Sequence, residues 1–155
     1  MKKLLYLLLL VPFALLTSCD KDDDLQPFDL TLTLGGVTQS DGVFYAVSGD
    51  EVTIEGLTVK PLCDKQTTVA NVLFSIDGAL IFPNPWNATG TLTFPTEVLP
   101  LGRNAVNVTG NLLQVDQSIK NFVANFTIVV VESEDELPAG APALGSYSQT
   151  ITVNK

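Results

Sequence analysis

The chain contains no histidine. That single absence removes the Ser-His-Asp triad, the Cys-His pair and every histidine-ligated zinc or iron site. Basic residues are scarce, eight against seventeen acidic ones, for a formal net charge of -9. They form no cluster, so a phosphate-binding surface for nucleic acid or anionic head groups has no material to build it. Acidity of this kind reads most simply as solubility and self-repulsion. Cysteine occurs only at Cys19 and Cys63 and tryptophan only at Trp86. From Phe28 onward no stretch of helical periodicity exceeds a few residues, which excludes a helix-based fold.

What is present begins with an apolar leader. Lys2 and Lys3 form a positive n-region ahead of Leu4 to Leu16, a run broken only by Pro12. As a helix it would span about 20 Å at 1.5 Å per residue, short of the ~30 Å hydrocarbon core. It therefore reads as the h-region of a signal peptide over residues 1–18. Its removal takes two of the eight basic residues and none of the seventeen acidic ones. The rest of the 155 residues is the length of one domain, large enough to bury a core of Val, Ile, Leu and Phe.

The leader ends in Leu16-Thr17-Ser18-Cys19, which resembles the lipobox of bacterial lipoproteins. The resemblance implies that Cys19 carries several acyl chains of the palmitate kind, and stable anchoring does need more than one chain. With Cys19 so used, an intrachain disulfide is excluded and Cys63 is either buried or a free thiol. Asp20-Lys21-Asp22-Asp23-Asp24 follows, then Leu25-Gln26-Pro27. A like-charged block without apolar residues stays extended and solvated, so residues 19–27 form a tether. The block also resembles the acidic export signal of Bacteroidetes surface lipoproteins, which implies the outer leaflet of the outer membrane.

Residues 28–155 read as one β-rich domain. Leu30, Leu32 and Leu34 alternate with Thr31 and Thr33 in a strand ended by Gly35-Gly36. Val43 to Val47 is the next strand, and a run through Val52, Ile54, Leu57 and Val59 carries a bulge signal at Gly56. Val69 to Ile76 leads into Asp77-Gly78, a dipeptide suited to a tight hairpin, with Ala79 to Phe82 as the return. Leu92 with Phe94, Ala105 to Leu113, Phe122 to Val131, and Tyr147 to Val153 complete the series. In the fourth of these runs Val72, Phe74 and Ile76 share the face expected to point inward, and Val69, Leu73 and Ser75 the opposite one.

Seven to nine short strands at this spacing predict an antiparallel β-sandwich. From about Asp50 to Val131 the chain resembles the immunoglobulin-like domains of Bacteroidetes surface lipoproteins: a Gly-Asp-Glu-Val-Thr-Ile strand opening at Gly49, Ser-Ile-Asp-Gly at Ser75 to Gly78, and the Leu101-Gly102 turn before a long strand. It departs from antibody domains in lacking an inter-sheet cysteine pair and a tryptophan in the Val69 to Ile76 strand. Segment Glu132 to Ser146, acidic and then rich in Pro and Gly, is expected to be a long loop.

Few residues suggest chemistry. Cys63 has Asp64 and Lys65 beside it but no sign of a base or oxyanion site, so a structural or incidental role is expected. The carboxylates fall mostly in turns and tethers, which argues against a glycosidase pair and against an enzyme. Glu132, Glu134, Asp135 and Glu136 supply oxygen ligands on one loop, yet their spacing matches no calcium loop and a solvated face is the simpler reading. Phe82-Pro83-Asn84-Pro85-Trp86-Asn87 is the segment most like a ligand site: Trp86 could stack on a sugar while Asn84 and Asn87 bind hydroxyls, or Trp86 could cap the core. Asn87-Ala88-Thr89, Asn107-Val108-Thr109 and Asn125-Phe126-Thr127 match the glycosylation pattern but arise easily from strand alternation.

The expectation is a non-catalytic surface lipoprotein without cofactor or metal. It would be held to the membrane through Cys19 and serve binding or adhesion, with a glycan or an outer-membrane assembly as partner. The rival reading is a structural spacer with no small ligand. An open aromatic face with convergent amides would favour the first.

Overall fold

The computed structural model describes residues 25–63, 67–76, 79–80, 92–114 and 119–154. Among them are nine strands, two short 3-10 turns at Thr96–Val98 and Glu134–Glu136, and no α-helix. The strands are β1 Phe28–Ser40, β2 Val43–Val47, β3 Glu51–Pro61, β4 Thr67–Ile76, β5 Ala79–Leu80, β6 Leu92–Pro95, β7 Gly102–Gln114, β8 Ile119–Val131 and β9 Gly145–Val153. They form one mixed sheet that runs β5-β4-β7-β8-β2-β1-β3-β6, with β9 also on β1.

The first strand joins two halves of this sheet. Its early part pairs with β3 on one side and β9 on the other, and its last residues, Thr38 to Ser40, pair with β2. Buried residues mark the change: Phe28, Leu30, Leu32 and Leu34 keep a period of two, after which burial shifts phase to Val37 and Thr38. Gly36 makes the shift, with φ +76, where a Cβ would collide with the Glu51 carbonyl oxygen. A left-handed glycine in a strand is the usual device for a bulge that increases twist. Gly35-Gly36 therefore bends β1 and does not end it, a correction to the expected boundary. The turn comes later, at Asp41 and Gly42, whose φ angles of 48 and 70 suit a two-residue hairpin.

That tight turn fixes β2 antiparallel to β1, and the direction in which β1 arrives makes β2 run parallel to β8, from Phe44 opposite Ile128 to Val47 opposite Val131. The expectation of an entirely antiparallel arrangement is corrected by this pair. The other pairings are antiparallel.

Two more bulges set which side chains face inward. Glu55 is the extra residue between Ile54, opposite Leu34, and Gly56, opposite Thr33, so the irregularity expected beside Gly56 is present. Ala70 is the extra residue in β4. It moves Val69 to the inner side, where it packs against the core, whereas the alternation alone had placed it outward. Val72, Phe74 and Ile76 are buried as expected.

One apolar cluster fills the space between the halves. Phe28, Leu32 and Leu57 come from one, Phe74, Val108 and Phe126 from the other. Phe28 meets Phe122 edge-to-face with centroids 5.4 Å apart and rings at 80°, although β1 and β8 share no ladder. The sheet thus curls over its own inner surface. The ring pair adds about 0.5–1.5 kcal/mol beyond area burial.

Buried polar groups tie the connections to this core. Thr96, fully buried, places its hydroxyl 2.8 Å from the Val47 carbonyl and 2.9 Å from that of Asp50, while its backbone N–H donates to Asp50 O at 2.8 Å. Those contacts hold the β2–β3 turn. Thr38 donates to Pro142 O at 2.6 Å and Tyr147 to Ala143 O at 2.7 Å, which pins the segment between β8 and β9 at two points. That segment is the loop expected from its composition.

Candidate functional site

The lipidation residue Cys19, the export residues Asp20, Lys21, Asp22, Asp23 and Asp24, and the ligand residues Asn84, Trp86 and Asn87 all lie outside the described residues. Cys63 is half-buried and disulfide-bonded. This corrects the expectation of a buried or free thiol.

The acidic loop does not converge. Glu132, Glu134, Asp135 and Glu136 are exposed, and the Glu136 carboxylate accepts the Glu132 backbone N–H at 3.1 Å. Among the described residues no three metal-binding side chains come together. An open cleft of about 370 Å³ lies beside the loop, lined by Glu134, Leu137, Pro138, Pro142 and Leu144 among others. Glu134 is the only lining residue with an ionisable side chain, so the cleft offers neither a nucleophile and base nor a ligand set.

The outer surfaces of the two halves differ in a way the sequence reading missed. Outside β9-β1-β3-β6, hydroxyls face one another across the ladders. Thr31 meets Thr150 at 2.7 Å, Thr33 meets Ser148 at 2.8 Å and Thr53 meets Thr93 at 2.8 Å. Carboxylates sit in the same layer and are bonded too, Asp29 by Thr152 at 2.7 Å and Glu55 by Ser146 at 2.9 Å. Such cross-strand pairs contribute about 0.2–1 kcal/mol each. Much of this surface is bonded within itself.

Outside β4-β7-β8 the chemistry changes. These three strands contain no aspartate or glutamate in a chain that has seventeen. Register brings their outward side chains into rows. Asn71, Asn111 and Asn121 form one; Leu73, Thr109 and Val123 the next; Ser75, Asn107 and Asn125 the third. Thr68, Leu113 and Ile119 lie beyond the first row. Most of these residues are exposed, Val123 at 63% and Ile119 at 65%. Within a row neighbouring strands lie about 4.7–4.9 Å apart, and successive rows about 6.6–6.8 Å.

Few internal bonds engage the amides. Asn107 reaches Ala105 O at 3.5 Å, the outer limit of a hydrogen bond, and no described residue bonds the side chains of Asn71, Asn111, Asn121 or Asn125. The only charged side chains on the three strands are Arg103, near one end, and Lys120. The signal for this surface was in the sequence: the triplets at Asn107 and Asn125 come from strand alternation, which sends Asn107, Thr109, Asn125 and Thr127 outward together.

No family model, curated protein or solved structure matches the chain.

Proposed function

We propose that the chain is a non-catalytic lipoprotein of the outer-membrane surface, anchored through Cys19 and displaying an immunoglobulin-like β-sandwich as a binding module for glycan or for an outer-membrane assembly. The observation that carries the binding role is the carboxylate-free, amide-rich outer surface of β4-β7-β8 in an otherwise acidic protein. A spacer has no use for such a surface. A solubilising one would be charged, like the rest of the chain.

The sandwich reading is supported by the order of pairing. β1, β3 and β6 adjoin in one half, β4, β7 and β8 in the other, and a common core lies between. This is the interleaving of strands between the two layers of immunoglobulin-type sheets. Anchoring is supported by the lipobox-like Leu16 to Cys19 and the acidic tether behind it.

A photo-crosslinking residue at Val123 in whole cells tests the binding role, with the same residue at Thr58 on the opposite outer surface as background. Adducts to envelope glycan or to a neighbouring envelope protein are expected from Val123 and not from Thr58. Equal yields from the two positions would contradict the proposal.

A further inference from the structure

We infer that the amide rows of β4, β7 and β8 bind an uncharged polysaccharide that lies across the strands. The inference rests on the binding role proposed above and names the ligand and its contacts.

Charge selects the class. The surface holds no carboxylate to meet a cationic polymer, and the chain around it, at net -9, repels an anionic one. Donor and acceptor chemistry narrows it further. A primary amide offers two N–H donors and a carbonyl acceptor, so a row of amides matches a ligand whose groups also donate and accept, as sugar hydroxyls do. A folded protein partner would instead call for a centre of Trp, Tyr, Met or Arg. The rows from Asn71 to Asn125 contain none of these.

Spacing sets the direction. Asn71, Asn111 and Asn121 succeed one another across β4, β7 and β8 at the inter-strand distance of about 4.8 Å, comparable to the length of one pyranose unit. A glycan crossing the strands therefore meets one amide per sugar. The adjacent row puts the exposed side chains of Leu73 and Val123 on either side of Thr109, so carbon surface lies beside the amides for the C–H face of the rings.

The contrast between the two outer surfaces is the independent support. On β9-β1-β3-β6 the hydroxyls are consumed by one another at 2.7–2.8 Å. On β4-β7-β8 the amides of Asn71, Asn111, Asn121 and Asn125 keep their capacity for a ligand. Both surfaces are polar; they differ in how much of their hydrogen-bonding capacity is used internally.

The test uses the full chain in detergent micelles, passed over immobilised neutral polysaccharides (glucan, mannan, xylan, galactan) and over polygalacturonate and alginate. Three proteins are compared: wild type, Asn111→Ala/Asn121→Ala, and Thr31→Ala/Thr150→Ala on the opposite surface, each checked by thermal melt. Retention on at least one neutral polymer and on neither uronate is expected. Loss of two amide contacts should weaken retention about tenfold or more, with the hydroxyl variant unchanged. Neutral binding that the amide variant keeps in full, or binding to the uronates instead, would overturn the inference while leaving a binding module. An absence of any polysaccharide binding would also overturn it, and the Val123 cross-link then decides whether the binding role survives.

Discussion

Gly110→Ala is the substitution whose effect the geometry fixes most tightly. The backbone at Gly110 is ordinary strand, so conformation alone would accept alanine and even gain about 0.4–1 kcal/mol from a stiffer unfolded chain. Space forbids it. An added Cβ would lie 2.7 Å from the Asn71 carbonyl oxygen and 2.7 Å from two atoms of the Phe122 ring, Cε1 and Cζ, about 1 Å inside normal contact. The oxygen belongs to the neighbouring strand and is held by the ladder. The ring must therefore withdraw, and it is the partner of Phe28 across the core. Overpacking costs about 1–3 kcal/mol, so a net loss of roughly 1–2 kcal/mol remains after the entropic gain. Urea melts of Gly110→Ala, Phe122→Leu and the double variant form the assay. A smaller side chain at 122 should relieve part of the clash, giving a favourable coupling of about 0.5 kcal/mol or more. A stabilised Gly110→Ala protein, or strictly additive losses, would refute the reasoning.

Phe74→Ala removes one of the largest fully buried side chains and should cost about 3–5 kcal/mol, against near neutrality for Ser75→Ala on the outer surface; equal urea midpoints would mean that β4 presents its other face to the core. Thr96→Val keeps volume but deprives the β2–β3 turn of its hydroxyl, and a loss of about 1–2 kcal/mol is expected in the same melts, with no change counting against the role given to Thr96. Alanine at Asp22, Asp23 and Asp24 should leave the protein lipidated and shield it from external protease in whole cells; unchanged cleavage would reduce the acidic block to a tether.

The strands were legible because burial on one face writes a period of two, as in Leu30 to Leu34 and Val72 to Ile76. What escaped depends on groups distant in sequence. Gly35-Gly36 reads as a terminator because a glycine pair usually turns the chain; here Gly36 adopts φ +76 to bend β1 against Glu51, and the Asp41-Gly42 dipeptide is the true turn. Alternation alone sends Val69 outward, and the bulge at Ala70 that turns it inward shows only in the register with β7. The parallel run of β2 beside β8 follows from where β1 delivers β2, which no local pattern encodes. For the candidate site, Asn107 and Asn125 stand in the sequence as isolated triplets, and only the pairing of three strands assembles them with Asn71, Asn111 and Asn121 into rows.

The state of Cys19 in protein extracted from membranes tests the central claim most directly. Intact mass reads leader cleavage and lipid addition together. The account predicts a chain beginning at Cys19 and heavier by several acyl groups. A chain that retains residues 1–18 and carries no acyl mass would contradict it.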